Sequence, residues 1–252
     1  MRKLLIAALF IAATCHAQMD DYPWIGLADA NSWMTRGLVA YYSFQDGTPV
    51  ANGYGTDATN YNGASESWAA GYAGQGAAFD GTNDVIRGKF PSLGGLSEIS
   101  ICCWVKQSSA ATAIDVPRIV STVGSGKGAM LIFTYVPDCK IFLYVSTQTN
   151  TYRGEITTGA LASNAWHFVT ATYSNNDARI YVDAVERATT TNSAGTGTTL
   201  ADTTIICMGD ETYGNRAFMG SVDEVRFYNR ALSLDEHQNM FQYYQWLNPI
   251  GR

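Results

Sequence analysis

Hydrophobic and polar positions alternate in short runs along most of the chain, and each run is bounded by Gly, Asn, Asp or Pro. That period of two is the signature of half-buried strands. It predicts strands over Leu38–Phe44, Gly76–Phe79, Val85–Gly88, Ile99–Lys106, Arg118–Val123 and Ala129–Val136. Six more are predicted over Lys140–Ser146, Tyr152–Thr157, Trp166–Tyr173, Arg179–Asp183, Thr204–Met208 and Phe218–Tyr228. Pro137-Asp138 and Ser174-Asn-Asn-Asp177 read as hairpin turns, because Asx residues and proline supply turn geometry. A helical signal comes near the end, where Ser233-Leu-Asp-Glu236 forms a capping box ahead of a short helix reaching about Tyr244. Many strands without intervening helices predict an all-β fold: a two-sheet antiparallel jelly-roll sandwich with a short C-terminal helix.

One strand breaks its own period. Val222 is apolar, and Val225 and Phe227 are apolar, so parity slips across Asp223-Glu224. An extra residue bulged out of the ladder restores the pattern and re-aims the side chains beside it.

Five blocks, taken in order, resemble the laminin-G-like (concanavalin A-like) jelly-roll family. They are Gly37-Leu-Val-Ala-Tyr-Tyr-Ser-Phe44; Gly76-Ala-Ala-Phe-Asp-Gly81 with Asn83-Asp84-Val85; Ile99 to Lys106 with Trp104; Trp166-His-Phe-Val169 with Arg179-Ile-Tyr-Val-Asp183; and Gly220-Ser-Val-Asp-Glu-Val-Arg-Phe-Tyr-Asn-Arg-Ala-Leu232. The chain departs from the family at Ala184, where a turn glycine is usual, and at the paired Cys102-Cys103. The resemblance implies a binding module for carbohydrate or protein, and it makes Trp68, Trp104 and Trp166 packing residues. In related sandwich glucanases the aspartate at this place in the closing strand holds a structural calcium. The resemblance therefore makes Asp223 the first candidate calcium ligand, with Asp46, Asp80 and Asp84 as weaker ones; calcium takes six to eight oxygens. The competing reading of Asp80 and Asp84 is simple turn construction.

The first residues change the picture of where the protein acts. Arg2 and Lys3, the apolar run Leu4 to Ala13 and the small residues up to Ala17 read as a signal peptide over residues 1–17. Residues 18–36 read as an N-terminal extension, 37–246 as the jelly-roll domain and 247–252 as a tail. Lipidation of Cys15 is the competing reading, disfavoured by Thr14 before it. The expectation is a secreted, extracellular protein, with periplasm or cell surface as variants and no transmembrane segment, since no later run approaches the ~20 apolar residues a span needs. The net charge of −6 without a basic stripe argues against a nucleic-acid partner. Export permits disulfides, and Cys102, Cys103, Cys139 and Cys207 are the candidates. The first two are neighbours on one strand and point to opposite faces, so one or two bridges to Cys139 and Cys207 are expected.

Chemistry is harder to find. Sandwich glycosidases need two carboxylates facing one bond, and no Glu-x-Asp-x-x-Glu run occurs. Asp183, Glu186 and Glu155 stand apart. His167 reads as a packed structural histidine and His237 lies on the terminal helix. No Gly-x-Ser-x-Gly elbow and no zinc spacing occur. Tyr54, Tyr61, Tyr72, Tyr152 and Tyr213 fall in or beside predicted loops, where exposed rings could stack on sugars. The expectation is thus a non-catalytic module that recognises a glycan, or a glycosylated surface. A structural or adhesive protein-binding role is the first alternative, and a divergent polysaccharide hydrolase or lyase the second.

Overall fold

Sixteen strands build two antiparallel sheets in the computed structural model, which describes residues 33–45, 56–61, 68–89, 93–109, 111, 117–123, 127–135, 140–156, 161–174, 176–201, 204–210 and 216–248. Residues 1–17, Asp46, Tyr54, Cys139 and Tyr213 lie outside the described residues. The chain divides after Gly37 into two units. In the first, the described residues 33–37 form a turn. The second carries every strand.

The strands in chain order are β1 (Leu38–Tyr42), β2 (Thr56–Tyr61), β3 (Trp68–Ala70), β4 (Gln75–Asp80), β5 (Val85–Lys89), β6 (Glu98–Gln107), β7 (Arg118–Val123) and β8 (Gly128–Tyr135). They continue as β9 (Lys140–Ser146), β10 (Thr151–Ile156), β11 (His167–Ser174), β12 (Asp177–Val182), β13 (Val185–Arg187), β14 (Thr189–Ala194), β15 (Ile205–Met208) and β16 (Met219–Tyr228). The helix α1 spans Leu234–Leu247. One sheet runs β13-β12-β11-β6-β16-β4-β3, with β1 also paired to β16; the other runs β14-β10-β9-β8-β7-β15-β5-β2.

The inward residues of both sheets make the core. Ile99, Ile101, Cys103 and Val105 of β6 and Val169, Ala171 and Tyr173 of β11 meet Ile141, Leu143 and Val145 of β9 and Ile206 and Met208 of β15. This alternation is why the sequence pattern was readable: each inward residue on a strand is two positions from the next. All twelve predicted strands form. The four the pattern omits are β2, β3, β13 and β14.

The parity slip in β16 is a bulge. Its pairing with β6 shifts register between Asp223 and Arg226, and Glu224 sits at φ 55°. Val222, Val225 and Phe227 therefore all face the core, while Asp223, Glu224 and Arg226 reach the opposite side. The Ser174–Asp177 turn closes the β11–β12 hairpin with Asn176 at φ 66°. Between β12 and β13 the two-residue turn places both Asp183 (φ 53°) and Ala184 (φ 61°) in the left-handed region. A primed hairpin turn demands that geometry, which explains why glycine is usual where Ala184 stands.

The disulfide expectation is not met among the described cysteines. Cys102 and Cys103 are free thiols, and no bridge joins either of them to Cys207. Strand geometry is the reason: Cys103 points into the core, while Cys102 points outward to the Thr170 hydroxyl. Burial raises both thiols, Cys102 to about 12, so neither is a reactive thiolate. With both cysteines unbridged, the two pairings that needed them with Cys139 and Cys207 fall.

Candidate functional site

The outer face of the first sheet is covered by α1, and the side chains re-aimed by the bulge lie under that helix. The capping box starts α1 as the sequence predicts: Ser233 Oγ accepts from Glu236 N at 3.3 Å, and Ser233 N donates to Glu236 Oε2 at 2.8 Å. Arg230 grips the same carboxylate with both terminal nitrogens, at 2.7 and 2.8 Å. That bidentate pair fixes the entry of the helix.

Beneath it lies a buried polar group built on one ion pair. Arg226 Nη2 meets Glu224 Oε2 at 3.0 Å, with the two side chains 1% and 5% exposed. Tyr41 donates to Glu224 Oε2 at 2.7 Å, and Tyr244 of α1 donates to the same oxygen. The Arg226 guanidinium also lies over the Tyr41 ring, 3.9 Å from its centroid. Beside this group Trp104 stacks flat on Tyr72, centroids 3.3 Å apart, and touches Phe168, Phe241 and Tyr244.

Asp223 takes another course. Its Oδ1 accepts from Glu224 N at 2.8 Å and its Oδ2 from Ala73 N at 3.1 Å, with the Tyr72 amide also donating. The turn over Gly71–Gly74 comes close enough for this only because Gly71 lacks a side chain; a Cβ there would lie 2.6 Å from Asp223 Oδ2. Burial, and then the charge of Glu224, push the Asp223 carboxyl well above the usual carboxylate range. No basic side chain among the described residues pairs with it.

Close by, Gln45 Nε2 lies 3.1 Å from Ser43 O and 3.3 Å from Glu224 Oε1, and it also donates to Ala73 O. Three oxygens from separate segments thus converge on the Gln45 amide nitrogen, close to Asp223. Their chemistry, carbonyl and carboxylate, suits a hard cation. The described residues hold no group of three or more His, Cys, Asp or Glu placed for a metal. A calcium here would take the place of the Gln45 amide and rest on Ser43 O, Ala73 O, Glu224 and Asp223, half of them main-chain oxygens.

The remaining predicted site residues scatter. Asp80 Oδ1 accepts from Thr82 N at 2.7 Å and Asp84 Oδ2 from Asp80 N at 2.9 Å, which builds their turn, while Asp84 Oδ1 is buried without a hydrogen-bond partner. Tyr72 is buried in the aromatic stack and offers no sugar platform, a correction that follows from its contact with Trp104. Tyr61 pairs with Val85 on β2, and Tyr152 with Val145 on β10, near opposite edges of the second sheet.

Neither described histidine is poised for proton transfer. His167 Nε2 accepts from Ala162 N at 3.1 Å, and its Nδ1 donates to Asp183 Oδ2 at 2.8 Å. Asp183 in turn accepts from Phe168 N at 2.9 Å, so the pair staples the β12–β13 turn to β11. His237 of α1 is fully buried against the Tyr181 ring, and burial pushes it down to about 4.

Sequence reasoning missed a groove of about 430 Å³ beside the start of α1. Its polar wall comes from β12 and β13, where Arg179 lies between Asp177 (3.5 Å) and Glu186 (3.7 Å). No periodicity marks it, because its residues come from three strands, a loop and the start of α1.

Comparisons with known proteins agree with this architecture. A family model described as the concanavalin A-like lectin/glucanases superfamily matches residues 80–236. No curated protein matches the chain. Among solved structures, domain 4 of an extracellular arabinanase of Geobacillus stearothermophilus, solved with arabinotriose, is similar at TM-score 0.57 and 20% identity, covering 81% of this chain and 98% of that one. The binding domain of Paraclostridial mosquitocidal protein 1 gives TM-score 0.66 at 14% identity, covering 82% of this chain and 52% of that one. The receptor-binding domain of botulinum neurotoxin D gives 0.62 at 13% over the same shares. The chain thus spans about half the length of these toxin domains and nearly all of the arabinanase domain.

Proposed function

Because the chain belongs to the concanavalin A-like lectin/glucanase superfamily, we propose that it is a secreted, non-catalytic module that recognises a carbohydrate or a glycosylated surface. The observation that carries this reading is how the reactive side chains are spent. Glu224 balances Arg226, Asp183 orients His167, Asp84 closes a turn, and His237 of α1 is sealed against the Tyr181 ring. Glycoside hydrolysis needs two carboxylates flanking a substrate, one of them free to give a proton; Glu224, Asp84 and His237 face the protein interior, Asp183 is held by His167 and the Phe168 amide, and the exposed Asp177 and Glu186 are both turned on Arg179. The arabinanase domain, solved with a trisaccharide and covered almost entirely by this chain, supports a sugar ligand; the toxin binding domains support recognition without chemistry. Among the described residues no helix is long and apolar enough to cross a membrane, and the N-terminal segment read as a signal peptide supports export.

A glycan array tests the reading. Binding confined to sugars that share one epitope is the expected result. Binding to extracellular proteins alone would favour the adhesive alternative. Reducing ends or unsaturated products released from a polysaccharide panel would establish the hydrolase or lyase alternative and end this one.

We further propose one structural calcium beside Asp223, on the strength of the oxygens gathered around Gln45. Its role would be to tie the end of β1 and the Gly71–Gly74 turn to the bulge, linking three segments distant in sequence. EDTA is then expected to lower the thermal midpoint, and added calcium to restore it, since a ligand that binds only the folded state stabilises it. An unchanged midpoint in EDTA excludes the ion.

A further inference from the structure

The groove beside α1 has two unlike walls. On one side Asp177, Arg179 and Glu186 form an exposed charged row, and Tyr181 lies at its base with its hydroxyl bonded to Arg179. On the other, Leu232 and Leu234 make an apolar lip, Leu234 being 47% exposed. Thr172 and Ser174 of β11 bring hydroxyls to the floor. The volume, about 430 Å³, falls in the range of small-molecule sites.

We propose that this groove is a glycan-binding site, and that it takes uncharged sugars and rejects carboxylated ones; the inference rests on the binding-module reading above. A sugar ring has an apolar C–H face and a polar rim, and the groove presents one wall suited to each. The row offers both hydrogen-bonding senses: two carboxylates accept from hydroxyls while a guanidinium donates. Arg179 is 56% exposed and meets its partners at 3.5 and 3.7 Å, long for hydrogen bonds, so it can turn from them to a sugar hydroxyl.

Charge supplies the selectivity. Asp177 and Glu186 outnumber Arg179, and Glu98 adds a further carboxylate next to the floor, accepting from Ser174 Oγ at 2.8 Å. At the start of α1 the capping box takes the Ser233 and Glu236 amides, Asp235 places a carboxylate in the first turn, and Arg230 is closed on Glu236. A uronate entering the groove therefore meets more negative than positive charge.

The experiment uses the full chain, a panel of neutral oligosaccharides and an oligogalacturonate of matching length. Affinities are measured for the wild type, Arg179→Ala and Asp177→Asn/Glu186→Gln, with thermal midpoints as a check on folding. A neutral sugar should bind the wild type, and Arg179→Ala should weaken it by about tenfold or more without moving the midpoint. The double neutral variant should gain oligogalacturonate binding. If a neutral sugar binds and Arg179→Ala leaves its affinity unchanged, the site assignment is wrong while the module reading stands. Oligogalacturonate binding to the wild type as tightly as neutral sugar overturns the charge argument. Failure of every glycan to bind defeats both readings.

Discussion

Glu224→Ala is expected to cost about 3–5 kcal/mol of stability, the usual penalty for stripping a buried ion pair of one partner. At ~2–4 °C per kcal/mol for a chain of this size, the thermal midpoint falls by roughly 6–20 °C. The reason is Arg226. Its guanidinium is 1% exposed and has one carboxylate opposite it at 3.0 Å. Without Glu224 that charge is left in a low-dielectric site, and the Tyr41 and Tyr244 hydroxyls lose the oxygen they share. Alanine at position 224 inherits the same left-handed backbone, so the comparison isolates the carboxylate. The double variant Glu224→Gln/Arg226→Met removes both charges and should cost less than the two single changes together. A midpoint within 2 °C of the wild type for Glu224→Ala would refute this, as would strict additivity in the double. Thermal unfolding followed by circular dichroism reads the wild type, Glu224→Ala, the single variants Glu224→Gln and Arg226→Met, and the double.

Trp104→Ala is the second large effect, expected at about 3–5 kcal/mol for a buried tryptophan cut back to a methyl group. Trp104 is 1% exposed and lies between β16 and β11, where it stacks on Tyr72 and carries Phe241 and Tyr244 of α1. The loss should therefore fall on the helix before it reaches the sandwich. Limited proteolysis should cut within 234–247 at protease levels that leave the wild type whole, and near-ultraviolet dichroism should weaken. Loss of stability without new cleavage in α1 would mean that the helix is held by the ion-pair group alone.

Both predictions rest on features of unequal legibility in the sequence. The strands that pack on two sides were readable, because burial on one face imposes a period of two. The four that were not, β2, β3, β13 and β14, stand at the ends of the two sheets. Edge strands such as Thr56–Tyr61 and Thr189–Ala194 are rich in Thr, Asn and Ala, and with one neighbour each they need no apolar row. The bulge was readable from Val222, Val225 and Phe227, since three inward residues cannot share a face at that spacing without an extra residue.

What the bulge serves was not readable. Glu224 meets Tyr41 across 183 positions, and no local pattern announces such a contact. The same holds for the groove, where Arg179 and Leu234 belong to elements far apart in sequence. Tyr72 was misread for a related reason: it sits in a polar turn, yet the turn folds under α1 and buries the ring against Trp104. The free thiols Cys102 and Cys103 teach the same lesson, since export allows disulfides but strand geometry decides whether two sulfurs meet.

Calorimetry tests the central claim most directly, because one titration separates binding from turnover. Neutral oligosaccharides, arabinotriose among them, are injected into the full chain and the heat is followed to equilibrium. Recognition without chemistry predicts heats that saturate and return to baseline after each injection for at least one sugar. A sustained heat flow that scales with enzyme concentration would be the mark of catalysis, and it would contradict the account.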